Sequence, residues 1–413
     1  MKLGAVMEKF GLSKDNIYFY IKLGLLVPPR RNNQYIFDEA AVTDLEKILE
    51  LKKLGFTLKE IHRVLSLYRV SHLAGTEDTE ELRELYQARR EALLDEQKKA
   101  RENAALLERK IEELHQPMAD YESRGVPLTM LSLLACPKCG GSFALDKVKM
   151  DQRYIYAGEL SCSCGTTALI KNGIVETQAK NTSLYDKPDI TRELYKELPP
   201  SLLSLFEKAY NRLSCYIKAS ISENSVILES YVNAWFFLHN HLELLPQGSR
   251  LIVLDKFPET LSIYKELSER QKCCADLLYI ADSSLNPPLR KNCIDLNVDF
   301  FAANEHNFYY PSFWPDALSP YMKENCETAG VYFYFDGGRR SMERLLREYP
   351  ESWHRSFNKN VFLENAKRAF TITESEELGF TTDSGENLGF SFHEKGEKMC
   401  LLAYRMERKE RQQ

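Results

Sequence analysis

Residues 16–30 read NIYFYIKLGLLVPPR, and this stretch decides what the N-terminal part of the chain can be. Ser13 stands where it caps a short helix whose Ile17, Tyr20 and Ile21 recur at helical spacing. Gly24 stops that helix before Leu25, Leu26 and Pro28. Working outward, Leu3 to Phe10 forms a first helix closed by Gly11, and the joint of residues 11–13 suits a helix-turn-helix. After it, residues 30–37 (RRNNQYIF) can pair as a two-stranded wing, and further helices are expected over Asp38 to Lys53 and Thr57 to Leu67.

The chain has 413 residues, 44% of them hydrophobic, enough for two to four domains with more than one core. Charge is unevenly spread: residues 1–70 hold 12 Lys/Arg against 8 Asp/Glu, residues 71–125 hold 9 against 14, and the remainder 34 against 38. Only the first block is basic, which fits phosphate contacts confined to it. No uncharged apolar run approaches the ~18 residues of a membrane span, and no signal-peptide pattern opens the chain, so no membrane partner and a cytoplasmic location are expected. Ten cysteines in such a chain read as thiols or metal ligands, not as a disulfide framework.

The ordered strings YIKLGLLVPPR and QYIFDEAAVTDLEKILELKKLGFTLKEIHRVLSL strongly resemble the DNA-binding domain of MerR-family transcription regulators over about 70 residues. The resemblance implies a homodimer that bends and twists double-stranded promoter DNA in response to an effector, so that RNA polymerase can use the promoter. It places DNA contacts on Lys14, Tyr18, Phe19, Lys22, Arg30, Arg31 and Tyr35. Two departures stand out. The recognition-helix arginine of the family is Tyr18 here, and the wing arginine after the tyrosine is Ile36. Each lost phosphate contact lowers the salt slope by about one, so weaker and less salt-sensitive binding is expected.

Residues 76–121 are charged, free of glycine and read as one helix. Tyr86, Leu93, Ala100, Leu107 and Leu114 fall seven apart, with Leu82, Leu85, Ala104 and Ile111 widening the stripe, a repeat that needs a partner helix. The MerR resemblance makes that partner the same helix of a second copy, running antiparallel. The pattern breaks over residues 122–127. Cys136 and Cys139 then form one close pair and Cys162 and Cys164 a second, with the strand-like 154–160 between them. Four thiolates so placed suit a closed tetrahedral zinc site, although the second pair is tighter than the usual spacing. The segment and its trailing ALIKNGIVE resemble small zinc ribbons found near methyltransferases. A redox-active or sensing role for the same thiols is the rival reading.

From Leu184 helices broken at Pro199-Pro200 are expected, followed by alternating strands and helices. Strands fall at 226–229, 250–255, 277–281, 294–301 and 330–335, helices at 234–244 and 258–270, and antiparallel strands fill 369–404. This order resembles class I S-adenosylmethionine-dependent methyltransferases. The resemblance makes Asp255 the acid that takes a cofactor ribose and Asp282 the one near the adenine amine, with Glu229 at the end of the first strand. The family's loop after that strand is rich in glycine, because only backbone without Cβ can turn tightly against the cofactor. Here it runs ESYVNAW over 229–235, so Tyr231, Val232 and Trp235 are expected to fill the space and cofactor binding and methyl transfer to be weakened or lost. The aromatic run from Phe300 to Trp314 reads as core, with an apolar pocket as the alternative.

The fold class that emerges is multidomain. It comprises a winged helix-turn-helix (1–70), a coiled-coil helix (76–121), a β zinc ribbon (126–180) and a Rossmann-like α/β domain of methyltransferase type (184–413). The function that follows is a dimeric DNA-binding regulator whose C-terminal part senses a small molecule. The rivals are a working methyltransferase and a metal or redox sensor.

Overall fold

A computed structural model describes all residues except 33, 72–74, 115–122, 182, 272, 285, 354 and 410–413. The chain divides into two compact units, Met1–Pro117 and Met118–Gln413.

In the first unit, α1 (Leu3–Phe10) ends at Gly11, whose φ of 64° is left-handed backbone that glycine adopts without strain. Helix α2 (Lys14–Lys22) starts at Ser13, whose hydroxyl accepts the Asn16 N–H at 3.2 Å. Strands β1 (Arg30–Arg31) and β2 (Gln34–Tyr35) pair antiparallel as the wing. Helix α3 (Glu39–Lys53) is capped by Asp38, and α4 (Leu58–Ser66) by a reciprocal Thr57–Glu60 box. Ile17, Tyr20, Leu45, Ile48, Ile61 and Leu65 close one core beneath these helices. The Arg69 guanidinium ties the unit together, donating to the carbonyls of Gly24 (3.1 Å) and Leu25 (2.6 Å) and pairing with Asp44. Helix α5 (Thr76–Leu114), about 58 Å long at 1.5 Å per residue, completes this unit. It packs Tyr86 edge-on against Phe56, and Arg89 donates to the Leu54 carbonyl at 2.7 Å. The last residues expected in this helix, 115–121, lie outside the described residues.

The second unit is built on one 12-stranded sheet. Its antiparallel side comprises β3 (Val126–Pro127), β4 (Ala144–Met150), β5 (Tyr154–Ser161), β6 (Thr167–Lys171) and β7 (Ile174–Thr177). Asn172 and Gly173, both at positive φ, make the two-residue turn between β6 and β7. Its parallel side comprises β8 (Val226–Ser230), β9 (Arg250–Asp255), β10 (Asp276–Ala281), β11 (Ile294–Phe300) and β12 (Met322–Asp336), followed by the long antiparallel strands β13 (Phe370–Thr381) and β14 (Lys398–Arg408). Counted from β8, the order across the parallel side is 3-2-1-4-5-7-6, the doubly wound arrangement of a Rossmann-like sheet with its last strand reversed. The two sides are joined because β7 pairs in parallel with β10, setting Ile174 opposite Tyr279 and Val175 opposite Ile280.

Both faces of the sheet are covered at β8 to β11, and these strands are buried almost throughout. Leu251 and Val253 point to the face packed by α6 (Pro200–Ser220) and α7 (Pro258–Glu269); Ile252 and Leu254 point to the face that carries Trp314 and, from α11 (Lys359–Ala369), Phe362.

Two expectations need correction. Residues 234–244 do not make a regular helix: the described backbone is an irregular loop and then 3-10 turns over Leu238–Leu244 with a kink at His241, φ −137°. Val232, Phe236 and Phe237 are pulled separately into the core, which a regular helix would not permit. Nor do helices precede Pro199; residues 183–198 run as bends and turns, and α6 begins at Pro200, where a proline fits the first helical turn.

Candidate functional site

The recognition helix turns its two faces to opposite uses. Ile17 and Tyr20 are buried, the Tyr20 hydroxyl accepting from Lys52 at 2.9 Å, while Tyr18 and Phe19 are 39% and 47% exposed. The wing leans on the same face. Tyr18 and Tyr35 meet edge to face at 5.9 Å, Arg30 lies 4.3 Å over the Tyr35 ring and donates to its hydroxyl at 2.6 Å, and Lys14 lies 5.6 Å from the Tyr18 ring centre. Lys22 and Arg31 are exposed as well. Tyr18, Tyr35, Arg30 and Lys14 therefore form one connected platform of aromatic rings and cations.

In the second unit, Cys136, Cys139, Cys162 and Cys164 bring their sulfurs within 4.8 Å of one another. Two of the separations, Cys136–Cys164 and Cys139–Cys162, are 3.4 Å. Zinc bound to sulfur at ~2.3 Å would set such separations near ~3.8 Å, so the cluster already has the size of a tetrahedral site. The two loops are built alike: Gly140 donates to the Cys136 carbonyl and Gly165 to that of Cys162, both at 2.8 Å, with both glycines at positive φ. Burial disfavours the Cys136 thiolate, yet Thr166 and the N–H groups of Cys139 and Lys138 hold its pKa down at about 6. At Cys139 the Gly141 N–H favours the thiolate, but the sulfurs of Cys162, Cys164 and Cys136 push it up to about 12. Crowded sulfurs of this kind ionise together only around a cation.

The third constellation lies at the carboxyl ends of β8, β9 and β10, where an open α/β sheet places its ligands. Here the chain fills the space itself. Tyr231 follows β8 at φ 55°, a conformation that costs a non-glycine residue. Its ring packs edge-on to Trp314 at 4.8 Å, and its hydroxyl meets His306 Nδ1 at 2.7 Å. The void left among Tyr231, Asp255, Lys256, Asp282 and Trp314 is about 10 Å³, the size of a single water site. The acids are taken by the chain too. Asp255 accepts the N–H groups of Asn233 (2.8 Å) and Phe257 (3.0 Å). Asp282 accepts from the Thr177 hydroxyl at 2.6 Å and from both N–H and hydroxyl of Ser284. Glu229 accepts from the Leu238 N–H and the Tyr264 hydroxyl. Burial pushes Glu229 up to about 7 and Asp255 up to about 6, and raises Asp282. A nucleoside cofactor does not fit these residues: the turn carries a bulky side chain and the two acids already hold partners.

Residues 1–67 match the family of MerR HTH regulatory proteins. HTH-type transcriptional regulator HmrR of Rhizobium leguminosarum bv. viciae is 34% identical over 104 residues, which span 22% of this chain and 79% of that protein. The chain belongs to the MerR family. The mercuric resistance operon regulatory protein of Bacillus cereus is 32% identical over 68 residues, and regulator YfmP of Bacillus subtilis 33% over 72; the chain spans only about half the length of these two, 52% and 51%. Among solved structures, the MccD protein is similar at a TM-score of 0.39 with 10% identity, covering 48% of this chain and 96% of that one. Phosphoethanolamine N-methyltransferase 2 of Haemonchus contortus is similar at 0.38 with 11% identity, covering 48% and 53%. The Rossmann-like assignment stands on the strand order and not on these low scores.

Within the MerR domain, the seven residues singled out for DNA contact lie on the recognition helix and the wing, and six are exposed, Tyr35 being half-buried. In the sheet, Glu229, Asp255 and Asp282 sit at strand ends but inward. No described helix is long and apolar enough to cross a membrane. Of the aromatic run, Phe300, Phe301, Phe313 and Trp314 are core, while Phe308 and Tyr309 line a cavity. Sequence reasoning missed a buried ion cluster. Lys256 bonds Asp186 at 2.5 Å and Glu305 at 3.1 Å, and its ammonium lies 4.5 Å from the centre of the Tyr309 ring. A lysine directly after a strand-end acid was the one local hint; nothing local announced Asp186, 70 positions away.

Proposed function

We propose that the chain is a dimeric transcription regulator that binds promoter DNA through its MerR domain and reads a small molecule with its sheet domain. What carries this is the platform of exposed Tyr18, Arg30 and Lys14 with half-buried Tyr35, within the residues that match the family. The phenol hydroxyls and cations suit phosphate oxygens, and Phe19 suits an apolar base edge in the major groove. Dimerisation through α5 is supported by its stripe: Tyr86, Leu93 and Leu107 are 38%, 39% and 63% exposed, apolar surface that a second copy of the helix would cover. RNA polymerase is affected indirectly, by distortion of the promoter. An effector shifts that distortion only by binding one state of the protein better than the other.

The sheet domain acts as the sensing part without S-adenosylmethionine, which its filled switch point does not suit. Cys136, Cys139, Cys162 and Cys164 would hold zinc as four thiolates, where it supplies a cross-link between the two loops. The test is fluorescence anisotropy of the full chain on a duplex from its own promoter, with sedimentation for mass. Salt-dependent binding by a dimer is expected; a monomer with no preference for that duplex over scrambled DNA sinks the reading.

A further inference from the structure

Residues 185–195, between β7 and α6, pass over the carboxyl end of the sheet and roof a cavity of about 210 Å³. Its floor comes from α8 (Ala302–Asn307) and the two residues after it, and its wall from Tyr349, which follows α10 (Arg339–Glu348). Five rings, Tyr185, Tyr195, Phe308, Tyr309 and Tyr349, line it together with the carboxylates of Asp189 and Glu305. The Asp189 and Glu305 side chains are only 7% and 13% exposed.

The charges around the cavity are mostly negative. Asp186, Asp189, Asp255 and Glu305 face two cations: buried Lys256, between Asp186 and Glu305, and half-buried Arg192, 3.6 Å from Asp189. Lys187 stands exposed among the lining residues. Burial, with Glu305 adding to it, pushes Asp186 up to about 7 even though Lys256 pulls the other way. Burial and then Glu305 likewise raise the Tyr195, Tyr309 and Tyr349 phenols, so these rings stay neutral and keep their electron-rich faces. Lys256 shows what such walls hold: an ammonium against the Tyr231 and Tyr309 rings, bonded to two carboxylates.

An anion in this cavity would meet Glu305 and Asp189. Asp189 and Glu305 are each paired on one side, with Arg192 and Lys256, but the four acids outnumber these two cations, and a neutral apolar molecule would leave that excess uncompensated. A positively charged amine satisfies both walls, ring faces and acids together. The volume lies below the ~300 Å³ at which drug-sized pockets begin, which sets the size of the guest.

We propose that this cavity binds a small organic ammonium compound of about the size of choline and that its occupancy pins the 185–195 segment to α8. The inference rests on the sensing role proposed above and names its ligand class. Asp189 accepts the N–H of Glu193 within the roof, while the Asp189 N–H and the Arg192 guanidinium bond Asn233 of the loop after β8. A guest between roof and floor therefore acts on the same loop that fills the switch point.

The test is calorimetric titration of the full chain with choline, tetramethylammonium and the neutral choline isostere 3,3-dimethylbutan-1-ol. Both cations are expected to bind, and the alcohol to bind at least about tenfold more weakly. Glu305→Gln is expected to weaken choline about tenfold, and Tyr185→Ala, a change at an exposed lining residue, by a few fold, with melting curves confirming that both variants fold. Equal binding of the alcohol overturns the proposal, as does the absence of saturation by either cation up to about 10 mM in folded protein. DNA binding measured on the same sample separates the two readings. Cation binding without DNA binding sinks the regulator, and DNA binding without cation binding sinks this site.

Discussion

The recognition helix leaves Tyr18 and Phe19 39% and 47% exposed, whereas the sheet domain keeps Tyr231 at 6% and its partner His306 at 0%. Both regions concentrate aromatic rings and charge where their folds place ligands, yet one turns them outward and the other consumes them. In the MerR domain the platform bonds within itself, Arg30 to the Tyr35 hydroxyl, yet most of it stays at the surface where a partner can reach it. At the switch point every acid already has one, and a lysine occupies the place of a guest's charge. The outline of a binding fold is therefore a poor guide to its ligand; what matters is which side chains the chain has used on itself.

The largest expected effect sharpens the difference in how the two regions are held. The MerR domain stands on its own core, while the zinc proposed at the four cysteines would cross-link their two loops, and structural zinc contributes on the order of 10 kcal/mol in small sites. Chelation should release zinc, expose four thiols to a colorimetric reagent and lower the melting midpoint of the sheet domain, while the MerR domain melts as before. A metal-free preparation with an unchanged midpoint would rule out structural zinc.

Next in size is Lys256→Met, which leaves Asp186 and Glu305 without their buried cation. Removing one partner of a buried pair costs about 3 to 5 kcal/mol, to be read from urea unfolding of the sheet domain. The matching change on the outward side, Arg30→Ala, should leave stability within about 0.5 kcal/mol, because Arg30 is exposed. If both changes cost the same, the contrast between the regions fails.

The pH dependence should also separate them, by sign. Asp186 and Glu229 are raised to about 7, so the folded sheet domain holds protons that the unfolded chain has lost. Stability is then lost as pH rises from the ordinary carboxylate range through about 7. Between about pH 8 and pH 6.5 acidification should raise its melting midpoint, before His306, which burial depresses to about 3, and His239 begin to favour the unfolded chain. In the MerR domain Glu60 is held low by the Thr57 hydroxyl and N–H, and Glu81 by Arg63. Their contribution is present above the ordinary carboxylate range and lost as pH falls through their lowered values, so this domain should not gain over the same interval.

The smallest effect concerns DNA. Arg30→Ala should lower the salt slope of binding by about one unit with little change in sequence preference. A loss confined to one operator sequence would show that Arg30 reads a base instead.

How much of this was legible depended on distance along the chain. Ser13 caps its helix as the sequence implies, and Asp38 and Thr57, where the next two helices are expected to start, likewise act on N–H groups three residues away. Strand β9 occupies Arg250–Asp255 as its apolar run implies, and the two cysteine pairs converge as their spacing implies. What escaped was set by partners far off. Residues 234–244 read as a helix in the sequence, yet Phe236 and Phe237 go one by one to a core made by α6 and α7. Asp186 and Lys256 meet across 70 positions, and the pairing of β7 with β10 spans about 100. No local pattern carries such information.

That last pairing has a consequence for anyone who would cut the chain. A fragment begun at Leu184 would strip β7 from β10 and lay bare the backbone N–H and C=O groups of Tyr279 to Ala281 as an open sheet edge. Unprotected edges of this kind recruit strands from neighbouring molecules, so the fragment would be prone to aggregate for a reason unrelated to its core. A cut before Val126 keeps the edge covered, which makes the cysteine loops and their strands an in-built chaperone for the sheet they extend.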